Sequence, residues 1–299
     1  MSPTPDEDTG WLLVRNAAAG SDDAELVQAI AGGLAAHGPA EVVATEDAED
    51  LEAALRGADG RTVVICGGDG SVQLAVQTAW SCGLLDDLVF GVVPLGTGND
   101  LAGHLGLDAD PTAVVERLLA AEPRATDLVV ADDDCVVVNA VHVGIGVAAA
   151  QEAQDRKDAF GQLAYPLGAI IAGASADGLE VEVLLDGERI DLGRPALMVA
   201  VANGRTIGGG TPVAPEAVVD DGLLDVVVVH AVGPGERVAY AGALLRGTHV
   251  DREDVVVAQG RAVCINGPSL AHNRDGELEE AAGDARTYRV EPGAWRLLR

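Results

Sequence analysis

The sequence predicts two domains: an α/β N-terminal domain built on a parallel sheet, then a mainly antiparallel β-sandwich C-terminal domain. Three observations carry this. The first 125 or so residues alternate short β-branched runs with segments of helical apolar spacing, the pattern of a parallel sheet covered on both faces. From about Ala125 onward, strand-like runs follow one another across Gly, Asp and Pro turns, as antiparallel hairpins do. At 299 residues the chain is long enough for two cores. The expected bounds are 1–125 and 126–299, with the last strand free to return to the first domain.

Element by element, WLLVR (Trp11 to Arg15) reads as a strand, and DDAELVQAIAGGLAAHG after Ser21 as a helix with acids in its first turn and Gly38 past its end. AEVVAT is a second strand, DAEDLEAALRG a second helix ending at Gly57, RTVVIC a third strand, and Val72 to about Trp80 a third helix. LVFGVVP is a fourth strand that runs into a glycine-rich turn leading towards a helix. The second domain offers TDLVVADDDCVVVNAVHV, LEVEVLLDGERIDL, PALMVAVANG, GLLDVVVVHAV, EDVVVAQGRAVCING and TYRVEPGAWRLL as strands, with DDD and LDGER as hairpin tips. Helical segments are expected at roughly Gly144 to Ala176 and Pro234 to Thr248.

Composition excludes several classes. Net charge is −29, from 19 Lys+Arg against 48 Asp+Glu, a surface that repels nucleic acid. Lys157 is the only lysine, and an acidic, lysine-poor surface suits a high-salt cytoplasm, where charges are screened within roughly 3 Å at about 1 M salt. No run of 18 apolar residues lacks a charge or glycine, and the start MSPTPDEDTG is the opposite of a signal peptide. The expected location is the cytoplasm, with transient contact at a membrane surface. Cys66, Cys82, Cys135 and Cys264 lie far apart with no CxxC pair, so no zinc site is legible.

Chemistry concentrates where strands end in glycine. In VVICGGDGSVQ (Val63 to Gln73) a buried strand stops on residues that cannot fill a core. Glycines between a strand and a helix accept unusual backbone angles and let an anion reach backbone N–H groups, and the helix that follows presents its unpaired amides to that anion. Asp69 inside such a turn cannot itself welcome phosphate, which suggests a magnesium ion or a water between them. PLGTGND (Pro94 to Asp100) is a second turn of the same kind. Two such turns at neighbouring strand ends make one concave anion site at the carboxyl edge of the sheet. There is no GxxxxGK[ST] and no GxGxxG with a distant acid, so neither a P-loop nor a dinucleotide fingerprint applies.

Taken together, GGDGS (Gly67 to Ser71), PLGTGND, NAAAG (Asn16 to Gly20), NAVHVGIG (Asn139 to Gly146), NGRTIGGGTPVAPEAVVDDGLLDV (Asn203 to Val226) and RDGE (Arg274 to Glu277) resemble, in order, the diacylglycerol kinase catalytic-domain family, in its soluble bacterial-type lipid kinase branch. The similarity covers nearly the whole chain and implies a fold of the NAD-kinase/diacylglycerol-kinase type: a nucleotide-binding first domain and a second that supplies the substrate cleft. It implies transfer of the ATP γ-phosphate to a lipid alcohol. Carried over by position, Asn16, Gly20, Thr45, Gly67, Gly68, Asp69, Gly70, Ser71, Val72, Gln73, Thr97, Asn99 and Asp100 hold the nucleotide. The resemblance likewise implies that Asp221, with the carbonyls of Val218 and Leu223, holds a structural Mg2+, that Glu277 is the general base, and that Asp69 belongs to the catalytic set.

The chain departs from the family pattern at Ala17, where a proline is usual, at Gln73 and Leu74, where an asparagine and a glutamate are usual, and at Gly103 and His104, which stand where an arginine is usual. Phe160 to Gly173 is apolar enough to line a lipid cleft, and packing explains it equally well. Two alternatives remain open: a kinase of a soluble hydroxyl such as NAD, and a non-catalytic lipid- or nucleotide-binding protein on the same scaffold. A homodimer is compatible with the sequence, which is silent on oligomeric state.

Overall fold

The computed structural model describes residues 10–18, 20–107, 110–144, 178–268, 270–279 and 285–299. The helix expected at Gly144 to Ala176 and the apolar Phe160 to Gly173 stretch fall outside the described residues. The chain divides into two compact units, Met1–Asp127 with Pro292–Arg299, and Leu128–Glu291.

The first unit alternates β1 (Trp11–Asn16), α1 (Ser21–Leu34), β2 (Ala40–Thr45), α2 (Ala48–Arg56), β3 (Thr62–Gly67), α3 (Asp69–Ser81) and β4 (Val89–Pro94), followed by α4 (Asp100–His104) and α5 (Pro111–Ala120). The strands pair in parallel in the order β2-β1-β3-β4. Helix α1 forms because Val27, Ile30, Ala31 and Leu34 recur on one face, where they are buried with Leu13, Val64, Val114 and Leu118. Helix α2 starts where Asp47 accepts the Asp50 N–H at 3.0 Å and stops at Gly57.

Helix α3 differs from the expected Val72–Trp80. It starts at Asp69 because Gly68, extended at φ −91° and ψ −169°, is its N-cap. Asp69, Gly70 and Ser71 therefore form the first helical turn instead of a loop.

In the second unit the strands are β5 (Pro123–Ala131, entering from the first), β6 (Val136–Val137), β7 (Ala140–Gly144), β8 (Glu182–Leu185), β9 (Glu188–Arg189), β10 (Ala196–Ala202), β11 (Thr206–Ile207), β12 (Thr211–Pro212), β13 (Leu224–His230), β14 (Val255–Gly260), β15 (Ala262–Asn266), β16 (His272–Arg274), β17 (Glu277–Glu279) and β18 (Ala285–Leu298). Among the described residues of this unit an α-helix, α6, spans Pro234–Leu244, shorter than the expected run to Thr248 because the chain turns at Gly247 with φ 67°. Six strands make an antiparallel sheet in the order β14-β13-β10-β7-β16-β17. On one face Val141, Val143, Val199, Val201, Val226 and Val228 pack with Val183, Val263, Ile265 and Tyr288 from β8, β15 and β18, which makes the sandwich. On the other face Met198, Ala200, Val227 and Val229 meet Tyr240 and Leu244 of α6. Strands β10 and β13 are buried on both faces, so they read as unbroken apolar runs.

Strand β18 is long enough to serve both units. Tyr288 and Arg289 pair with β15, while Arg296 and Leu297 lie parallel to Val89 and Phe90 of β4. Pro292 and Gly293 interrupt it. Gly293 takes φ 61° and donates its N–H to Asp127 Oδ1 at 2.7 Å, a bend that few other residues adopt.

Candidate active site

In the first unit the strand ends line up. Asn16 lies beside Thr45, Arg15 beside Cys66, and Gly67 beside Pro94, so the loops after β1 to β4 leave one edge of the sheet together. The two glycine turns touch backbone to backbone. A Cβ on Gly68 would come within 2.9 Å of Gly96 Cα, and a Cβ on Gly96 within 2.5 Å of Gly68 Cα and 2.9 Å of Asn99 Oδ1. Leu95 N–H donates to Gly67 O at 3.1 Å. Asn99, left-handed at φ 53°, closes the second turn on itself: its Oδ1 accepts the Gly96 N–H at 3.1 Å and its Nδ2 donates to Gly96 O at 2.5 Å.

Asp69 ties the two turns together. Its Oδ2 accepts the Asp100 N–H at 3.0 Å and its Oδ1 the Leu101 N–H at 3.3 Å, so it satisfies the first amides of α4 from another helix. Burial pushes its carboxyl up from the usual aspartate value, the Asp100 carboxylate adds to that, and the amides oppose it. Asp100 is buried. Thr97 stands exposed on the turn.

Beside the turns lies a cavity of about 230 Å³ whose lining includes Asn16, Asp23, Gly67, Gly68, Ser71 and Leu95. Neither Gly68 before α3 nor Gly20 before α1 caps its helix with a side chain; in α3 the Ser71 N–H turns back on Gly68 O at 3.0 Å, and the amides before it have no intrahelical acceptor. The cavity continues into a second hollow that shares Asn16, Cys66 and Ser71 and reaches Thr45, Leu51 and Leu74. Leu74 is 43% exposed, apolar surface on which a flat ring could rest. The loop after β1 is held by Ala17 N–H to Thr45 O at 2.9 Å and Ala18 N–H to Asn16 Oδ1 at 2.8 Å. Val72 is buried with its amide on Gly68 O, while Gly70 is exposed in the first turn and Gln73 half-buried in the second. Burial pushes the Cys66 thiol up to about 12, against the pull of Arg15, which makes it a packing residue and not a nucleophile.

Val218, Asp221, Leu223 and Glu277 belong to the second unit. Among the described residues no three His, Cys, Asp or Glu side chains converge as a metal cluster. The Asp221 loop nonetheless suits a hard cation. Asp221 is exposed, its Oδ1 accepts the Leu223 N–H at 2.9 Å, and Gly222 bends the chain at φ 73°. Nearby, burial and then the Asp221 and Glu216 carboxylates push Asp225 up to about 6, although Gln259 Nε2 donates to it at 3.1 Å. Crowded carboxylates are oxygen donors of the kind Mg2+ takes.

Glu277 is exposed at the first position of β17, after a two-residue turn with Asp275 at φ 48° and Gly276 at φ 96°. The Asp275 carboxylate accepts three amides, from Val138 at 2.6 Å, Asn139 at 2.9 Å and Ala140 at 3.0 Å. Sequence reasoning missed this clamp. An Asp-Gly pair signals the turn, but nothing local signals a partner some 135 positions earlier. Asp23 in the cavity lining was missed too, since an acid in a first helical turn reads as ordinary dipole complement.

Against known families, residues 10–131 match the diacylglycerol kinase catalytic domain, and residues 139–299 match the YegS C-terminal NAD kinase beta sandwich-like domain. A Stenotrophomonas maltophilia (strain K279a) protein described as "Probable lipid kinase YegS-like" is 30% identical, the match covering 96% of this chain and 95% of that one. The chain belongs to the diacylglycerol kinase catalytic-domain family. A second family relative, a diacylglycerol kinase of Mycobacterium tuberculosis (strain CDC 1551 / Oshkosh), is 26% identical over 78% of this chain and 75% of its own. The family fold is seen again in a diacylglycerol kinase of Bacillus anthracis str. Sterne, with TM-score 0.74, 18% identity and coverage of 98% and 97%. An NAD kinase of Archaeoglobus fulgidus in complex with ATP shares the fold at TM-score 0.53 and 14% identity, covering 97% of this chain and 93% of its own.

Proposed function

We propose that the protein transfers the γ-phosphate of ATP to a hydroxyl of diacylglycerol or a related lipid. One observation carries this reading: two glycine turns in backbone contact beside a cavity bounded by uncapped helix starts. Phosphoryl transfer needs positioning and cancellation of charge on the phosphoryl oxygens, and helix-start amides beside a cavity lined in part by Gly67 and Gly68 serve both ends. Gly20, Gly67, Gly68, Gly70 and Ser71 line the phosphate path in this reading, with Thr97 and Asn99 shaping the far turn. Asn16, Thr45 and Leu74 face the nucleoside. Asp69 keeps the two turns registered through α4.

Glu277 takes the proton of the lipid hydroxyl as its oxygen attacks the γ-phosphorus and the bond to the β-phosphate oxygen breaks, releasing ADP. A carboxylate placed for this raises the rate of an otherwise poor nucleophile. Asp221 with the carbonyls of Val218 and Leu223 would hold a structural Mg2+, which supplies positive charge among crowded carboxylates. The lipid is met at a membrane surface, where molar salt screens the repulsion between an acidic chain and an anionic bilayer.

The test is transfer from radiolabelled ATP to extracted membrane lipid, with magnesium and high salt. Label in lipid supports the proposal. Label in a soluble product points to a soluble acceptor, and nucleotide binding without transfer to a non-catalytic protein. Glu277→Gln is expected to lower turnover about a hundredfold or more while nucleotide binding persists, and near-normal turnover removes Glu277 as the base.

A further inference from the structure

Arg274 and Glu277 are cross-strand partners at the mouth of the β16–β17 turn. Opposite charges in that relation ordinarily pair. Here they do not. The Arg274 guanidinium, buried at 7% exposure, forks onto Asp133, Nη1 to Oδ1 at 3.1 Å and Nη2 to Oδ2 at 2.9 Å, and forms a further ion pair with Glu279. Arg286 supports both acids, reaching Asp133 Oδ2 and Glu279 Oε1 at 3.4 Å each and Asp132 at 2.9 Å. The Tyr288 ring lies 5.9 Å from the guanidinium carbon. The Glu277 carboxylate, by contrast, has no hydrogen bond or ion pair among the described residues, and the residue is exposed.

Only Arg274 is buried in this lattice, while Asp133 is exposed and Glu279 half-buried, and ion pairs to such solvent-facing acids add little stability. The geometric effect of the lattice is specific: it commits both terminal nitrogens of Arg274 away from the carboxylate directly across the hairpin, leaving the buried Nε without a partner among the described residues. We propose that Asp133 and Glu279 are positioning residues that hold Arg274 off Glu277 and so keep that carboxylate unpaired for proton transfer. This rests on the reading of Glu277 as the base. Released from either acid, the guanidinium swings to its cross-strand partner and ties up the group the reaction needs.

The experiment measures kcat, KM for ATP and folded fraction by circular dichroism for Glu277→Gln, Glu279→Gln, Asp133→Asn and each of the last two combined with Arg274→Met. Glu279→Gln and Asp133→Asn are expected to lower kcat about tenfold with KM for ATP unchanged, in protein that remains folded. Adding Arg274→Met recovers most of the loss, because the competing cation is gone. Either acid variant alone suffices if the other fails to fold. Wild-type kcat in folded Glu279→Gln and Asp133→Asn overturns the proposal, as does a kcat that merely tracks folded fraction or that Arg274→Met lowers further. Near-normal kcat in Glu277→Gln overturns the base reading itself, an outcome distinct from the others.

Discussion

At the scale of single residues, neighbours in one short motif divide the labour. In RDGE, the Arg274 side chain is buried and ion-paired, Asp275 clamps three backbone amides, the exposed Gly276 permits the turn, and the Glu277 side chain faces solvent. Types and turn were legible in the letters; the division was not, because burial depends on what packs over each side chain. The floor of this region contains two histidines kept neutral. His142 is buried with its Nδ1 unpartnered among the described residues, and burial followed by nearby His272 brings its pKa down to about 4. His272, hydrogen-bonded at Nδ1 to Tyr288 at 2.8 Å, is held down to about 4 by burial and then by Arg274 and Arg286. Their ordinary value is 6.5. As pH falls from there towards 4 the unfolded chain takes up protons that the folded chain refuses, so stability drops through that window and is unaffected by these rings above it. The expected loss is on the order of 3 kcal/mol for a fully buried ring. Urea midpoints measured across this range should fall less steeply in His142→Gln than in the parent, and equal slopes would contradict the assignment.

At the scale of elements, the strand–helix alternation and the strand-rich second half follow from periodicity that any window of the chain displays. The start of α3 was misplaced because Gly-Gly-Asp-Gly-Ser has poor helix propensity. The helix begins there anyway because a long apolar face, Val72, Ala75, Val76 and Ala79, is buried behind it. The contact between the turns at Gly68 and Gly96 depends on neither having a side chain. Gly96→Ala is therefore expected to separate them and weaken ATP binding about tenfold or more, the cost of one charge-assisted hydrogen bond or greater. Thermal stability is expected to fall as well, since the added methyl would meet the Gly68 backbone at 2.5 Å, so affinity is compared in protein shown to be folded. Titration calorimetry showing parental affinity would contradict the contact's role.

At the scale of the molecule, charge dominates. With −29 net, self-repulsion opposes the compact state until salt screens it. Melting temperature should rise substantially between dilute buffer and about 2 M KCl, and a flat response would remove the high-salt reading. No helix among the described residues is long and apolar enough to cross a membrane.

The sequence alone determined the strand–helix alternation of the first domain, the strand-rich character of the second and the glycine turns at strand ends, because apolar period and freedom at φ are local properties written in consecutive residues. Only the tertiary structure decided that Asp69 caps α4, that the last strand returns beside β4, and that Asp275 grips the chain at Val138 to Ala140. Those contacts join residues from about 30 to more than 200 positions apart, and pairing at that range is selected by which buried polar groups find partners in the assembled core, a choice no local pattern records.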